Sequence, residues 1–205
     1  MAIKIGLEKT YDHLKWSFTQ DTLALFKFPN HLASLIMSCV STLFISALYN
    51  GGALKPFLPS RGIKQGDPFS PCLFILCMEV LGAFIIEKCD AKLWDLIKAS
   101  RGGLAFSHLF FADDLVFFAK DDRKNCLAIR DVLDSFCLGQ KVNNAKSRVL
   151  FSPNVNPDTR ANLSEILEFR STSTLGKYLG FPIKHSGMRE DFRFIIERIQ
   201  SRLTG

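Results

Sequence analysis

The sequence lacks the spacings by which cysteine and histidine usually bind zinc. Its six cysteines include no Cys-x-x-Cys pair, and its four histidines are far apart along the chain. All six cysteines lie within apolar segments, so we expect them to be small buried residues with free thiols in a reducing compartment. These absences exclude a zinc finger and a small secreted domain held by disulfides.

Targeting segments and long apolar runs are also missing. The longest apolar run, Leu73–Ile86, is interrupted by Glu79 and is too short to cross a bilayer. The first residues do not show the charged and apolar regions of a signal peptide. We therefore expect an intracellular protein without a membrane partner, and nothing in the sequence distinguishes the nucleus from the cytoplasm.

Neither charge sign is in large excess. Lys and Arg number 26 and Asp and Glu number 20, which gives a net charge of +6. This mild basic excess is compatible with a phosphate-backbone partner without establishing one. Hydrophobic residues make up 47% of the chain and include 19 phenylalanines, so a substantial core is available and disorder is not expected.

The most informative segment is a pair of apolar runs with two aspartates between them. Leu109–Ala112 and Leu115–Ala119 have the length of buried strands, and the gap of Asp113 and Asp114 predicts a β-hairpin. A tight turn favours Asn-Gly or Asp-Gly, whereas two adjacent carboxylates repel each other unless a cation compensates them. The pair therefore suggests a divalent metal site; the alternative is a solvated acidic turn.

A second informative segment is a glycine-rich loop that ends in the Ser-Pro start of a helix. Gly62 and Gly66 permit a positive φ or a close approach to a ligand, and Gln65 between them offers a donor and an acceptor. Arg61 and Lys64 add positive charge near a helix N-terminus, where anions are favoured. The pattern indicates a phosphate or nucleotide loop; the alternative is a capped turn with incidental basic residues.

The remaining pattern predicts an α+β fold, because strand-like and helical stretches are mixed without a regular βαβ alternation. The predicted strands are Met1–Ile5, Ser147–Phe151 and Lys177–Ile183, with a further hairpin of Thr42–Tyr49 and Ala53–Leu58 around Asn50-Gly51-Gly52. The predicted helices begin at Asp12, after Pro29, at Ser70, at Asp121 or Asp122, and at Asn156, and an amphipathic helix covers Arg189–Leu203.

The two informative segments together resemble the reverse transcriptase family. Gly-x-x-Gln-Gly-Asp-Pro-x-Ser-Pro at residues 62–71 and Phe-Ala-Asp-Asp at residues 111–114 are similar to the non-LTR (LINE-type) retrotransposon enzymes, particularly those of plants. Residues 3–12, 139–147 and 177–182 resemble the family's first, fourth and fifth palm motifs. The resemblance implies a polymerase palm with an antiparallel sheet and packed helices over residues 1–152, and the palm end with the beginning of a thumb over residues 153–205. We expect this chain to lack the fingers region that precedes the palm in the family.

The resemblance also implies an RNA-directed DNA polymerase that extends a DNA primer with dNTPs on an RNA template. In the family, three aspartates hold two divalent ions, Mg²⁺ or Mn²⁺, and Asp113 and Asp114 match two of them. Gln65 and Gly66 match the loop that contacts the incoming nucleotide and the template, with Arg61 and Lys64 beside it as in the motif described above.

The first and fourth motifs imply further roles. Tyr11 matches the aromatic residue that screens the sugar 2′ position and so favours deoxynucleotides, and Lys146 matches a basic residue near the leaving phosphates. The third metal-binding aspartate is replaced by Gly6. Glu8 is the nearest acid that could substitute, but two residues along a strand displace it by roughly 6.5 Å.

Three hypotheses follow from these residues. The chain is an active reverse transcriptase palm, or a retrotransposon remnant with impaired chemistry, or a non-catalytic nucleic-acid-binding module that keeps the palm fold. Gly6 and the missing fingers favour the remnant over the active enzyme. A carboxylate about 4 Å from an ion is worth roughly 4 kcal/mol at an effective dielectric near 20, which is about three orders of magnitude in rate.

Overall fold

The computed structural model of the chain describes residues 1–98, 102–183 and 200. Its strands are β1 (Ala2–Ile5), β2 (Leu48–Tyr49), β3 (Gly52–Ala53), β4 (Ile97–Lys98), β5 (Ala105–Phe106), β6 (His108–Phe111), β7 (Asp114–Phe118), β8 (Arg148–Leu150), β9 (Arg170–Ser171), β10 (Lys177–Tyr178) and β11 (Phe181–Pro182). Its helices are α1 (Trp16–Leu25), α2 (Asn30–Ser41), α3 (Ser70–Asp90), α4 (Arg123–Phe136) and α5 (Pro157–Leu167).

The central sheet has the strand order β6-β7-β1-β8-β9. β1 lies antiparallel to both β7 and β8, whereas β9 runs parallel to β8. Ile3 and Ile5 of β1 are fully buried, and Lys4 between them points to the opposite, partly exposed face. The mostly antiparallel sheet and the packed helices confirm the predicted α+β fold, and the pairing of β1 with β7 places the strand of the first motif directly beside the acidic hairpin.

The apolar face of the sheet packs into one core with α3 and α4. Phe117 of β7, Leu81 and Ile85 of α3 and Ile129 of α4 are all fully buried in this core. α4 begins where the sequence predicts, because the side chain of Asp122 accepts a hydrogen bond from the backbone N–H of Asn125 (2.8 Å). The result is a rigid platform that holds the hairpin against β1.

Two predicted elements differ in their boundaries. α1 begins at Trp16 rather than at Asp12, because the N–H groups of Asp12 and His13 donate to the carbonyl of Lys9 (2.8 and 3.0 Å) and form a separate turn. Lys177–Ile183 is not one strand but the short β10–β11 hairpin, which turns at Leu179 and Gly180, both with positive φ. The predicted helix over residues 189–203 lies outside the described residues, apart from residue 200, which is helical.

The predicted burial of all six cysteines is correct only for Cys77 and Cys126, since Cys89 is half-buried and the other three are exposed. Cys39, Cys72 and Cys137 are exposed, because the first two lie on outward faces of α2 and α3 and the third follows the last turn of α4. The predicted hairpin around Asn50 forms as the short β2–β3 pair, extended by a bridge between Ile45 and Phe57. Over the described residues, no helix is long and apolar enough to cross a membrane.

Candidate active site

The acidic hairpin turns one residue earlier than the sequence predicts. Phe111 of β6 pairs with Asp114 of β7, so the two turn residues are Ala112 and Asp113 rather than the two aspartates. Ala112 has a φ of 51°, in the left-handed region that a residue with a side chain rarely adopts. Asp113 therefore stands exposed in the turn, and Asp114 is the first residue of β7.

The end of β1 brings the first motif to this tip. Ile5 pairs with Leu115, and continuing that antiparallel register by one residue places Gly6 beside Asp114. Gly6 is held on its other side, because its N–H donates to Ser147 Oγ (3.1 Å) and its carbonyl accepts from the N–H of Asn143 (2.7 Å). The position without a carboxylate therefore lies where the resemblance implies a metal ligand.

Lys146 occupies the space into which a side chain at position 6 would project. A Cβ built on Gly6 would lie 2.8 Å from Lys146 Cβ, which is closer than such atoms approach in proteins. The backbone of Lys146 is fixed, because its N–H donates to both the carbonyl and the side-chain oxygen of Asn143 (both 3.0 Å). The structure thus places Lys146, predicted at this site, directly against Gly6.

Lys4 is a site residue that the sequence reasoning did not identify. Its Nζ lies 3.2 Å from Asp114 Oδ1 and also donates to the carbonyl of Lys177 (3.1 Å). The sequence contained a signal for this contact. Lys4 lies two positions before Gly6 in a predicted strand, so the two positions face the same side of the sheet. An ammonium group is therefore paired with one of the two hairpin carboxylates.

The fifth motif also reaches the tip. Lys177 and Tyr178 belong to β10, and the Lys177 carbonyl accepts the hydrogen bond from Lys4. Burial raises the pKa of the Tyr178 phenol, and the nearby charge of Asp114 raises it further. Three of the motifs in the sequence thus meet around Asp114.

A cleft of about 260 Å³ opens beside the turn. Thr10, Tyr11, Gln65, Phe74, Ala112 and Asp113 line it. The ring of Tyr11 stacks on Phe74 with 5.5 Å between centroids and 24° between planes, which fixes the aromatic wall of the cleft. Tyr11, Gln65 and Asp113, which come from three separate motifs, are therefore brought together around one space.

The glycine-rich loop is hydrogen-bonded to the segment of the first motif beside this cleft. Gly62 has a φ of 90°, and a Cβ there would lie 3.0 Å from the carbonyl oxygen of Asp12 and 3.1 Å from that of Tyr11. The N–H groups of Gly62 and Ile63 donate to the carbonyls of Leu14 (2.7 Å) and Tyr11 (2.9 Å). Only glycine permits this close approach, so the loop and the first motif form one unit.

The other predicted residues of the loop do not line the cleft. Arg61, Lys64 and Gly66 are exposed, and Gly66 serves as a turn with a φ of 80°. Lys64 lies instead beside a mostly apolar cavity of about 330 Å³ between α2 and the start of α3. The basic side chains of the loop therefore add charge near the site without contacting it.

Glu8, the candidate replacement ligand, is already engaged. Its carboxylate lies 3.0 Å from Lys141 Nζ, and its N–H donates to the Lys141 carbonyl (2.9 Å). The hydrogen bond from Lys141 holds the pKa of Glu8 below its usual value, against a smaller opposing effect of burial. In this structure the Glu8 carboxylate is therefore bound to Lys141 and is not presented as a metal ligand.

The residues present do not fit a centre for two divalent ions. Among residues 1–98 and 102–183, no group of three or more His, Cys, Asp or Glu side chains is arranged to hold a metal ion. Asp113 and Asp114 supply two carboxylates, Gly6 supplies none, and Lys4 is paired with Asp114. Two divalent ions at close separation require more oxygen ligands than this tip provides.

Sequence comparisons agree with the order of motifs along the chain. A family model described as "Reverse transcriptase (RNA-dependent DNA polymerase)" matches residues 1–183. The chain is 31% identical over 116 residues to a retrovirus-related Pol polyprotein from the type-2 retrotransposable element R2DM of Drosophila melanogaster. This match covers 57% of the chain and 10% of that protein. The chain is also 39% identical over 71 residues to the uncharacterized mitochondrial protein AtMg01250 of Arabidopsis thaliana. This second match covers 35% of the chain and 58% of that protein.

A more distant relative matches over more of the chain. It is a Pol polyprotein from the type-1 retrotransposable element R2 of Popillia japonica, 22% identical over 200 residues, covering 91% of this chain and 31% of that protein. The chain thus spans from a tenth to about three-fifths of the length of these relatives.

Solved structures with a similar fold include telomerases. Telomerase from Candida albicans, in complex with a TWJ fragment of telomeric RNA, superimposes with a TM-score of 0.57 at 14% identity and covers 90% of this chain and 29% of that one. Apo telomerase from Candida tropicalis gives a TM-score of 0.54 at 14% identity, covering 90% and 31%. At this identity the likeness shows the polymerase palm fold.

Proposed function

The chain belongs to the reverse transcriptase (RNA-dependent DNA polymerase) family, in its non-LTR retrotransposon branch, and from that membership we propose that it is the palm of an RNA-directed DNA polymerase. Its substrates would be an RNA template, a DNA primer and deoxynucleoside triphosphates. The observation that carries this proposal is the cleft beside the hairpin, where Tyr11, Gln65 and Asp113 line one space.

Two residues of the cleft have roles that their chemistry supports. The Tyr11 ring, held by Phe74, presents a flat wall against which the sugar and base of a nucleotide can lie. The Gln65 amide offers both a donor and an acceptor to a nucleotide or a template base. Lys146, Arg61 and Lys64 do not line the cleft, but their positive charges would attract the phosphate backbone of a bound nucleic acid.

We further propose that nucleotidyl transfer by this chain is impaired. The family holds two divalent ions with three carboxylates, and Gly6 removes the one that would face Asp114. One carboxylate about 4 Å from an ion is worth roughly 4 kcal/mol at an effective dielectric near 20, so the rate should fall by about three orders of magnitude. The pairing of Glu8 with Lys141 supports the view that no other acid replaces it.

Nucleic-acid binding without catalysis is a second candidate function, and the charges at the tip favour it. Lys4 pairs with Asp114 and Lys146 lies against Gly6, so the two lysines and the two hairpin aspartates carry no net charge when counted together. A carboxylate at position 6 would make the group negative. The loss at Gly6 therefore weakens metal binding and also reduces the repulsion of a phosphate backbone.

The test combines binding and extension. Fluorescence anisotropy with a labelled RNA–DNA hybrid should show binding that weakens steeply as salt increases, with little dependence on Mg²⁺. Primer extension on an RNA template should stay at the level of the matched Asp113→Ala variant. Absence of hybrid binding at low salt would overturn the polymerase assignment, and extension that Asp113→Ala abolishes would overturn the impairment.

A further inference from the structure

We propose that the ammonium group of Lys4 is the resident cation of the hairpin tip and that it competes with divalent ions for Asp114. The proposal relies on the proposed function only for the identity of the site. In this proposal the positive charge of Lys4 weakens the binding of divalent ions at the hairpin tip. The effect is large because Gly6 supplies no carboxylate to offset that charge.

The contacts of Lys4 fix its ammonium at this place. Nζ lies 3.2 Å from Asp114 Oδ1 and donates a second hydrogen bond to the carbonyl of Lys177 (3.1 Å). The backbone of Lys4 is paired on both sides, with Val116 in β7 and Arg148 in β8. A strand residue paired in this way presents its side chain to the same face of the sheet whenever the sheet is folded.

The balance of charge decides between the ammonium and a divalent ion. A divalent ion that contacts both Asp113 and Asp114 lies within a few ångströms of the ammonium, because that group sits on Asp114. Either the ion pair opens or the two cations repel each other. A third carboxylate would offset this repulsion, and Gly6 cannot supply one.

Exposure sets the size of the effect. The side chains of Lys4 and Asp114 are 29% and 43% exposed, so water screens their interaction and also lets an ion enter. Removal of one unit charge from the vicinity of a divalent ion in such a site should strengthen binding about tenfold.

The experiment measures Mn²⁺ binding to the full chain without nucleic acid, by electron paramagnetic resonance of the free ion. Lys4→Gln should bind Mn²⁺ about tenfold more tightly than the wild type, and Lys4→Arg should bind as weakly as the wild type because the charge remains. Lys88→Gln is the matched control, since Lys88 pairs with Asp131 on a distant face between α3 and α4, and its affinity should not change.

Two further variants keep the test decisive. Lys4→Met, which is similar in length and carries no charge, replaces Lys4→Gln if the amide destabilises the sheet. Addition of Asp114→Asn to either variant should remove the gain in affinity. Equal Mn²⁺ affinity in wild type and Lys4→Gln, with both folded by circular dichroism, would overturn the proposal, as would a gain that survives Asp114→Asn.

The outcome is separable from that of the proposed function. If Lys4 has no effect on Mn²⁺ but the chain binds the RNA–DNA hybrid, the palm assignment stands and only the inference on Lys4 fails. If hybrid binding is absent while Lys4→Gln gains Mn²⁺ affinity, the cation inference stands and the polymerase assignment fails.

Discussion

Gly6→Ala should destabilise the protein, because the added methyl group enters space that Lys146 already occupies. The new Cβ would lie 2.8 Å from Lys146 Cβ, so the turn of residues 143–147 must move by more than half an ångström to restore an ordinary contact. That turn resists movement, since Ser147 is fully buried and its N–H donates to the Asn143 carbonyl (2.9 Å). Overpacking of this kind costs about 1–3 kcal/mol.

A double-mutant cycle isolates this contact. Lys146→Gly removes the atom that the methyl group meets, so Gly6→Ala should cost at least about 1 kcal/mol less in that background than in the wild type. Urea unfolding followed by circular dichroism gives all four free energies of unfolding. Gly102→Ala is the matched control, because nothing lies within 4 Å of a Cβ at that position. An equal cost of Gly6→Ala in both backgrounds would refute the reasoning.

Three other predictions concern parts of the structure away from the tip. The hydrogen bonds from Lys124 and Asn125 lower the pKa of Asp95 from 3.8 to about 2. This stabilisation is complete well above the unfolded pKa and is lost as the pH falls through the folded pKa, so thermal melts should show Asp95→Asn less stable than wild type at pH 7, with a difference that shrinks as the pH falls toward 2. Phe44 and Leu48 are 73% and 79% exposed, so Phe44→Ser with Leu48→Lys should reduce light scattering while changing the unfolding free energy by less than about 1 kcal/mol. A thiol reagent should modify exposed Cys72 quickly and reach buried Cys126, whose pKa burial raises to about 12, only on unfolding. Three results would contradict these predictions: a difference between Asp95→Asn and wild type that is as large at pH 2 as at pH 7, unchanged scattering, or rapid labelling of Cys126.

The sequence was sufficient for the parts of the fold that depend on local pattern. The apolar runs around Asp113, the Ser-Pro start at Ser70 and the Asp122 cap each predicted an element that the structure contains. These signals arise from strand length, helix-start chemistry and the periodic burial of one face. The local signals predicted the individual elements. The family resemblance predicted that three of the motifs come together at one site.

What the sequence did not predict depends on backbone geometry and on register between distant strands. The turn moved by one residue because Ala112 adopts a positive φ that nothing in its side chain favours. The pairing of Lys4 with Asp114 required the register of β1 against β7, which joins residues more than a hundred positions apart. The crowding of Gly6 by Lys146 is likewise visible only in three dimensions.

We propose that the hairpin tip is a polymerase centre that lacks one carboxylate. The most direct measurement is single-nucleotide extension of a DNA primer on an RNA template with Mn²⁺, comparing wild type, Gly6→Asp, and Gly6→Asp with Asp113→Ala. We expect background activity in the wild type, a gain with Gly6→Asp, and loss of that gain when Asp113→Ala is added. Extension by the wild type at the rate of the Gly6→Asp variant would contradict this proposal.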